Sequence, residues 1–308
     1  MSPYPRSAVL AAFAMASMGA CATHATAVHP TTEPTMTSLT SRVQQAFGAY
    51  FQGDALPLRR LMRPDVTLVS AGTSRLAGEH RGPDAVLGFG SLVSAATANS
   101  FKTAPEFFAE NGPTVAILLR DEATVRGKPF EWFEAIIQRY DETSHLQRIE
   151  LFHSRQAEWD AAFPSAKPEP LSAAWSATAR NIENARAGFA AYFTGDPSKM
   201  VALLADDASI TMPGKNRFSG TRTGKAEVLG IGGAIFEATG GTFQATPRFF
   251  AGNGDRVLIV MDDKAVLDGR AIAWSEIIVQ QFDASGHIRH IDTYFSDQAA
   301  WDGFFPIR

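Results

Sequence analysis

Cysteine is nearly absent. Cys21 is the single one in 308 residues, which excludes a disulfide framework and any zinc or redox site built on paired cysteines. No basic run occurs. With 28 Lys and Arg against 32 Asp and Glu, the formal net charge is −4, which speaks against a nucleic-acid partner, since phosphate binding needs a clustered positive surface. Beyond the N-terminus, no apolar run approaches the roughly 18 residues of a spanning helix. Charged residues are only 19% against 45% hydrophobic, so the chain is globular in composition and not a disordered tail. Its length allows two domains at roughly 150 residues each.

What is present begins with an address. Arg6 precedes an apolar, alanine-rich stretch from Ala8 to Met18 and then small residues, the layout of a secretory signal. Ala25-Thr26-Ala27 offers a cleavage site that makes residues 1–27 a signal peptide. Met18-Gly19-Ala20-Cys21 resembles a bacterial lipobox, apart from Met18 in the usual Leu position; it would end the signal at residue 20 and place a lipid on Cys21. Both readings stand, and both expect export to the cell envelope: periplasmic, secreted, or lipid-anchored to a membrane through Cys21 alone. Residues 28–37, rich in Thr, Pro and His, read as a flexible tether.

One offset organises the remainder. Ala49-Tyr50-Phe51 with Gly53-Asp54 recurs as Ala191-Tyr192-Phe193 with Gly195-Asp196, an offset of 192 − 50 = 142. The same offset carries Asp65 to Asp207, Asn111-Gly112 to Asn253-Gly254, Trp132 and Glu134 to Trp274 and Glu276, and Trp159-Asp160 to Trp301-Asp302. No gap is needed. The chain is a duplication, with repeat 1 expected over 38–164, a linker over 165–178 and repeat 2 over 179–308.

Each repeat reads as α+β. Val43, Ala46, Phe47, Tyr50 and Phe51 form one helical stripe, repeated by Ile182, Ala185, Phe189, Tyr192 and Phe193. A short second helix, a strand opened by Asp65 or Asp207, and a longer third helix after Gly82 or Gly224 follow. Strand patterns then dominate, with turns at Asn111-Gly112 and at 283–286. On these motifs, and on the last hairpin from Asp283 to Asp292, each repeat resembles a SnoaL-like domain of the NTF2-like superfamily. The resemblance implies a curved antiparallel sheet packed on three helices as a cone with an apolar pocket. It also implies that the two copies pair sheet to sheet within one chain, as an intramolecular pseudo-dimer. Several relatives are cyclases, dehydratases or isomerases, whose catalytic sets do not transfer to these positions.

Polar residues on strands that should be buried mark the candidate chemistry. Trp274, Glu276, Ile278, Gln280 and Phe282 share a face by the period of two, as do Trp132, Glu134, Ile136, Gln138 and Tyr140. A carboxyl between Trp and Ile in an apolar pocket has a raised pKa and suits general acid–base work. The alternative puts Glu134 and Glu276 on the seam between the sheets, satisfied by hydrogen bonds. His290, Asp292 and Tyr294 alternate on the last strand; converging in a pocket they would suit proton abstraction beside a carbonyl, and otherwise they line an outer face. Trp274 and Phe193, with Trp132 and Glu134 in repeat 1, are expected to line ligand pockets. His290-Ile291-Asp292 is too sparse for a metal site, and no cofactor is called for. Two functions follow as expectations. One is binding of a small apolar or aromatic molecule, with cofactor-independent isomerase, cyclase or dehydratase chemistry. The other is a non-catalytic envelope module that docks a protein, its cones filled by the chain's 22 Phe.

Overall fold

The computed structural model describes residues 38–165 and 173–307. The expected leader, Cys21, the tether and the middle of the linker lie outside them. The chain divides after Leu61 into two compact units. The first contains α1 (Leu39–Phe51) and α2 (Leu56–Leu61). Ser38 caps α1, its hydroxyl accepting from the Ser41 N–H at 3.1 Å. Gly53, at φ 90°, supplies the left-handed turn that a side chain would resist. The Asp54 carboxylate then accepts from the Leu56 N–H at 3.0 Å and opens α2.

The second unit begins at β1 (Met62–Ser70) and continues through β2 (Gly78–Arg81), α3 (Pro83–Ala96), β3 (Lys102–Asn111), β4 (Thr114–Val125), β5 (Lys128–Tyr140), β6 (Leu146–His153) and α4 (Gln156–Ala162). Repeat 2 has the same order throughout: α5 (Ala173–Phe193), α6 (Ser198–Leu203), β7 (Leu204–Met212), β8 (Gly220–Thr223), α7 (Lys225–Ala238), β9 (Gln244–Asn253), β10 (Arg256–Leu267), β11 (Arg270–Phe282), β12 (Ile288–Phe295) and α8 (Gln298–Phe304). Helix α5 starts at Ala173, inside the stretch read as linker. The sheets run β2-β1-β6-β5-β4-β3 and β8-β7-β12-β11-β10-β9. Each is antiparallel except where β1 pairs with β6, and β7 with β12, in parallel. That pair, the short strands β2 and β8, and the closing helices α4 and α8 correct the sequence reading. Four- and seven-residue elements carry too little periodicity to be seen.

The closing helices explain the repeated Trp-Asp. Trp301 is buried against Trp274, Phe295 and Phe305, with ring centroids 4.3–4.8 Å apart. Asp302 accepts from the Lys215 N–H, Asn216 Nδ2 and Gln298 Nε2, which ties the loop after β7 to α8. Asp160 does the same with the Ser74 N–H and Gln156 Nε2.

Repeat 2 buries both faces of its sheet. On one side, helices α5 to α8 cover a core that includes Ile210, Met261, Trp274 and Phe295. On the other, Leu258, Val260, Ile277 and Val279 meet Ala116, Leu118, Ala135 and Ile137 of the first sheet. This second layer is the sheet-to-sheet seam. Phe133 stacks on Phe249 across it at 6.0 Å. Two asparagines pin its ends reciprocally. Asn111 Nδ2 donates to the carbonyls of Thr211 and Thr293, and Asn253 Nδ2, 142 positions on, donates to those of Val69 and Leu151, all at 3.0–3.2 Å. The Asn of each Asn-Gly is thus the last strand residue, while Gly112-Pro113 forms the first turn. Arg256, from repeat 2, reaches the buried Glu150 of repeat 1 at 3.1 Å.

Asn253→Ala removes both donors of one clamp and strands two buried carbonyls. The urea-unfolding free energy should fall by about 2–3 kcal/mol, and the loss should add to that of Asn111→Ala, since distant sites act independently. A change under about 0.5 kcal/mol would show that these bonds do not hold the seam.

Candidate functional site

The helix-covered face of the second sheet encloses a cavity of ≈ 140 Å³. Its wall is apolar and aromatic: Phe189, Tyr192 and Phe193 from α5, Ile231 and Ile235 from α7, and Trp274 and Ile278 from β11. Phe193 is 44% exposed and forms part of the rim. Tyr192 spans the space to α7, where its hydroxyl donates to the Leu229 carbonyl at 3.2 Å. A side chain at Gly232 would collide with that phenol, which accounts for one of the glycines inside this helix. Gly230 faces open space, and nothing in the structure explains it.

Three polar side chains enter this wall, Glu276, Gln280 and Thr293. Glu276 lies deep in the fold with part of its surface open to the cavity. Burial pushes its carboxyl well above the usual carboxylate range, and the charge of Asp263 adds to the effect. Asp263 lies diagonally opposite on β10, where Met261 pairs with Glu276 and Asp263 with Trp274. Only 3% of it is exposed. Burial raises Asp263 to about 7, against the lowering effects of Glu276 and the Trp274 indole. Two carboxyls so placed share one proton, held mainly by Glu276.

Repeat 1 carries the same pair, Asp121 and Glu134. Burial raises Asp121 to about 7 and pushes Glu134 well up. It adds a group with no counterpart, because His153 stands where repeat 2 has Phe295. His153 stacks on Trp159 at 4.3 Å and puts Nδ1 3.4 Å from Glu134 Oε2. Burial lowers its pKa to about 3, so the imidazole is neutral. Trp132 packs between Phe101 and Phe130, at 5.9 and 4.9 Å, which fills its surroundings with the protein's own aromatics.

The structure therefore brings Trp274, Glu276 and Phe193 together at the cavity and sets the other candidates elsewhere. The seam alternative for Glu276 is corrected, because its neighbours Ile277 and Val279 take the seam and leave Glu276 on the opposite face. The same alternation corrects the expectation that His290, Asp292 and Tyr294 converge in the pocket. On β12 it is Ile291, Thr293 and Phe295 that face the cavity. Tyr294 is buried in the seam, with its phenol pushed up by burial. His290 bonds to Ser209 Oγ at 2.8 Å and to Asp292 Oδ1 at 3.0 Å, and the Asp292 bond raises its pKa. On β8, before α7, Arg222 donates to the Phe218 and Arg217 carbonyls. Among the described residues, no group of three or more His, Cys, Asp or Glu could hold a metal ion.

Sequence reasoning missed Asp263 and His153. Both were findable: Val257, Ile259, Met261 and Asp263 alternate on one strand face, as do Ile149, Leu151 and His153.

The raised carboxyls and the lowered imidazole give opposite pH signatures. Folded Asp263 keeps its proton up to about 7, whereas the unfolded chain releases it near 4, so its stabilisation is lost as pH rises through that window. Asp263→Asn should therefore gain stability over wild type by about 2 kcal/mol between about pH 4 and pH 8. Folded His153 refuses a proton down to about 3, whereas the unfolded chain takes it near 6.5, so stability falls on acidification below that point. His153→Phe should gain progressively more as pH falls from about 6.5 towards 3. Thermal melts across pH check both; a pH-independent offset in either variant would contradict the burial argument.

No protein-family model matches the chain. Uncharacterized proteins of Mycobacterium tuberculosis and Mycobacterium bovis are 27% identical over 126 residues, 41% of this chain and 95% of theirs. Among solved structures, Bal32a from a soil-derived mobile gene cassette is 29% identical, with 42% of this chain and 99% of that one covered and a TM-score of 0.40. An NTF2-like protein of unknown function from Burkholderia pseudomallei is 21% identical, with 41% and 98% covered and a TM-score of 0.37. Each match takes nearly all of the other protein and about the length of one repeat here. With the same elements in the same order and the same sheet order twice over, the chain is a tandem of two α+β domains, and what it is similar to includes proteins described as NTF2-like.

Proposed function

We propose that repeat 2 binds a small, uncharged apolar or aromatic molecule in its cavity and transfers a proton on it without a cofactor, with Glu276 as the acid–base group. The observation that carries this reading is one carboxyl, backed by a second, in the wall of an otherwise apolar cavity. A carboxyl held protonated by burial gives up its proton only to a strong acceptor, and once ionised it is a stronger base than a carboxylate in water. With the shared proton on Asp263, Glu276 can take a proton from carbon beside a carbonyl and return it to a neighbouring position, which is the net chemistry of an isomerase. Returned to a leaving hydroxyl, the same proton gives a dehydration. The apolar wall excludes competing water, and Asp263 holds the Glu276 proton affinity high. The closed aromatic packing around Trp132 favours a more structural role for repeat 1. Under the same proposal the N-terminal segment exports the protein to the envelope, by cleavage after Ala27 or lipidation of Cys21.

Proton exchange at carbon tests the chemistry without a known substrate. Incubated in heavy water with aromatic ketones such as tetralone, the wild-type protein should speed deuterium uptake beside the carbonyl, read by NMR. Glu276→Gln should lower that rate by about a hundredfold or more, the usual worth of a general acid–base group. Uptake that Glu276→Gln leaves unchanged would remove the catalytic role.

A further inference from the structure

Gln280 is 1% exposed and lines the cavity, yet among the described residues its Oε1 has no hydrogen-bond partner. The matching residue of repeat 1 shows what is missing. There the Tyr140 hydroxyl donates to Gln138 Oε1 at 2.6 Å. Repeat 2 has Phe282 at the tyrosine position, buried and without a hydroxyl. The acceptor of this buried amide is thus met internally in one repeat and left open in the other, in a side chain that lines the cavity. A buried acceptor without a donor costs about 1–3 kcal/mol, and a bound molecule that brings a donor recovers it.

Position adds a second constraint. Glu276 and Gln280 lie four residues apart on one face of β11, about 13 Å at the usual rise of a strand, with Ile278 between them. Between the two polar points lie Ile278 and, beside it on β12, Thr293, whose hydroxyl donates to the Thr211 carbonyl at 3.5 Å, and buried Asp263 disfavours an anion.

We infer, resting on the cavity reading above, that the ligand is an uncharged, elongated apolar molecule with polar groups at its two ends: a hydroxyl or N–H that donates to Gln280 Oε1, and a carbonyl that reaches Glu276. The ligand's donor takes the place that the Tyr140 hydroxyl fills in repeat 1. Gln280 is thereby the residue that distinguishes a hydroxylated molecule from its deoxy analogue, and Phe282 keeps that acceptor open.

Two rigid probes differing by one group test this: para-acetyl-para′-hydroxybiphenyl and the same ketone without its hydroxyl. By isothermal titration the wild-type protein should bind the hydroxylated compound about tenfold more tightly, the worth of one recovered buried hydrogen bond. Phe282→Tyr supplies the hydroxyl internally, and Gln280→Leu removes the acceptor. Both should bring the ratio to about one while the deoxy ketone still binds. Circular dichroism confirms folding, and Phe282→Tyr should melt no lower than wild type, as Tyr140 already occupies the equivalent place in repeat 1. Equal affinity for the two probes in the wild type, or a preference that survives in both variants, overturns the role of Gln280 and leaves the cavity reading standing. Failure of the wild type to bind either probe overturns both.

Discussion

The two sheets cover each other along a face built from small and β-branched side chains, Ala116, Ala135, Ile137, Val260, Ile277 and Val279 among them, and that face constrains the rest of the second unit. A strand in a sheet has two faces and no third place to put a side chain. Once alternate residues of β5 and β11 are committed to the seam, the others must look to the opposite side. In repeat 2 that side is the helix-covered cavity. Glu276 points where it does because Ile277 and Val279 are needed elsewhere. A one-residue slip would carry the carboxyl into the seam and the isoleucine into the cavity. The Asn111 and Asn253 clamps act against such relative movement, since each spends both donors on carbonyls of two strands in the other sheet.

Within that frame, the buried acids stand out energetically. An ionised carboxylate in an apolar setting is costly, and the usual response is to neutralise it or pair it. Elsewhere in the seam the protein pairs, with Glu150 held by Arg256, Arg148 and Arg139 at 3.1–3.7 Å. At Glu276 and Asp263 it places two acids side by side and no cation, so the second carboxyl makes the first harder to ionise. A replacement of similar volume without charge would cost the fold nothing. Such an arrangement makes sense as a proton store at a cavity, and it makes little sense as a stabilising device.

Much of this was legible in the sequence, and the limits have physical causes. The offset of 142, the aromatic first helices and the face shared by Trp274, Glu276 and Gln280 follow from periodicity and repetition alone. Periodicity says which residues share a face. It does not say which face is inside when both are buried, so the same pattern admitted both a pocket and a seam for Glu276, and both a pocket and an outer face for His290, Asp292 and Tyr294. In the antiparallel sheet with one solvated face the polar residues would have settled the matter; here the sheet is covered twice. Asp263 was overlooked for a related reason, since Asp262-Asp263-Lys264 reads as a charged, exposed stretch until its strand is aligned with β11.

Duplication supplies an internal control that a single-domain protein lacks. Positions held alike in both repeats, such as the stacked Trp of the closing helix, are compatible with structure alone because both halves need to fold. Positions that differ while their surroundings stay alike are more informative. His153 and Phe295 each stack on the tryptophan of their own closing helix, Trp159 and Trp301, at the same 4.3 Å, so the ring is needed by the fold and the nitrogens are not. Tyr140 against Phe282 leaves the ring and removes the hydroxyl. In each pair the apolar part is kept and a hydrogen-bonding group is present on one side only. The two substitutions run in the same sense: at both positions repeat 1 has the additional polar group, whereas repeat 2 has bare aromatic rings, an open amide and a carboxyl. In repeat 1 the Tyr140 hydroxyl meets the glutamine acceptor from within, and its loss at Phe282 is what leaves that acceptor in repeat 2 to a molecule from outside.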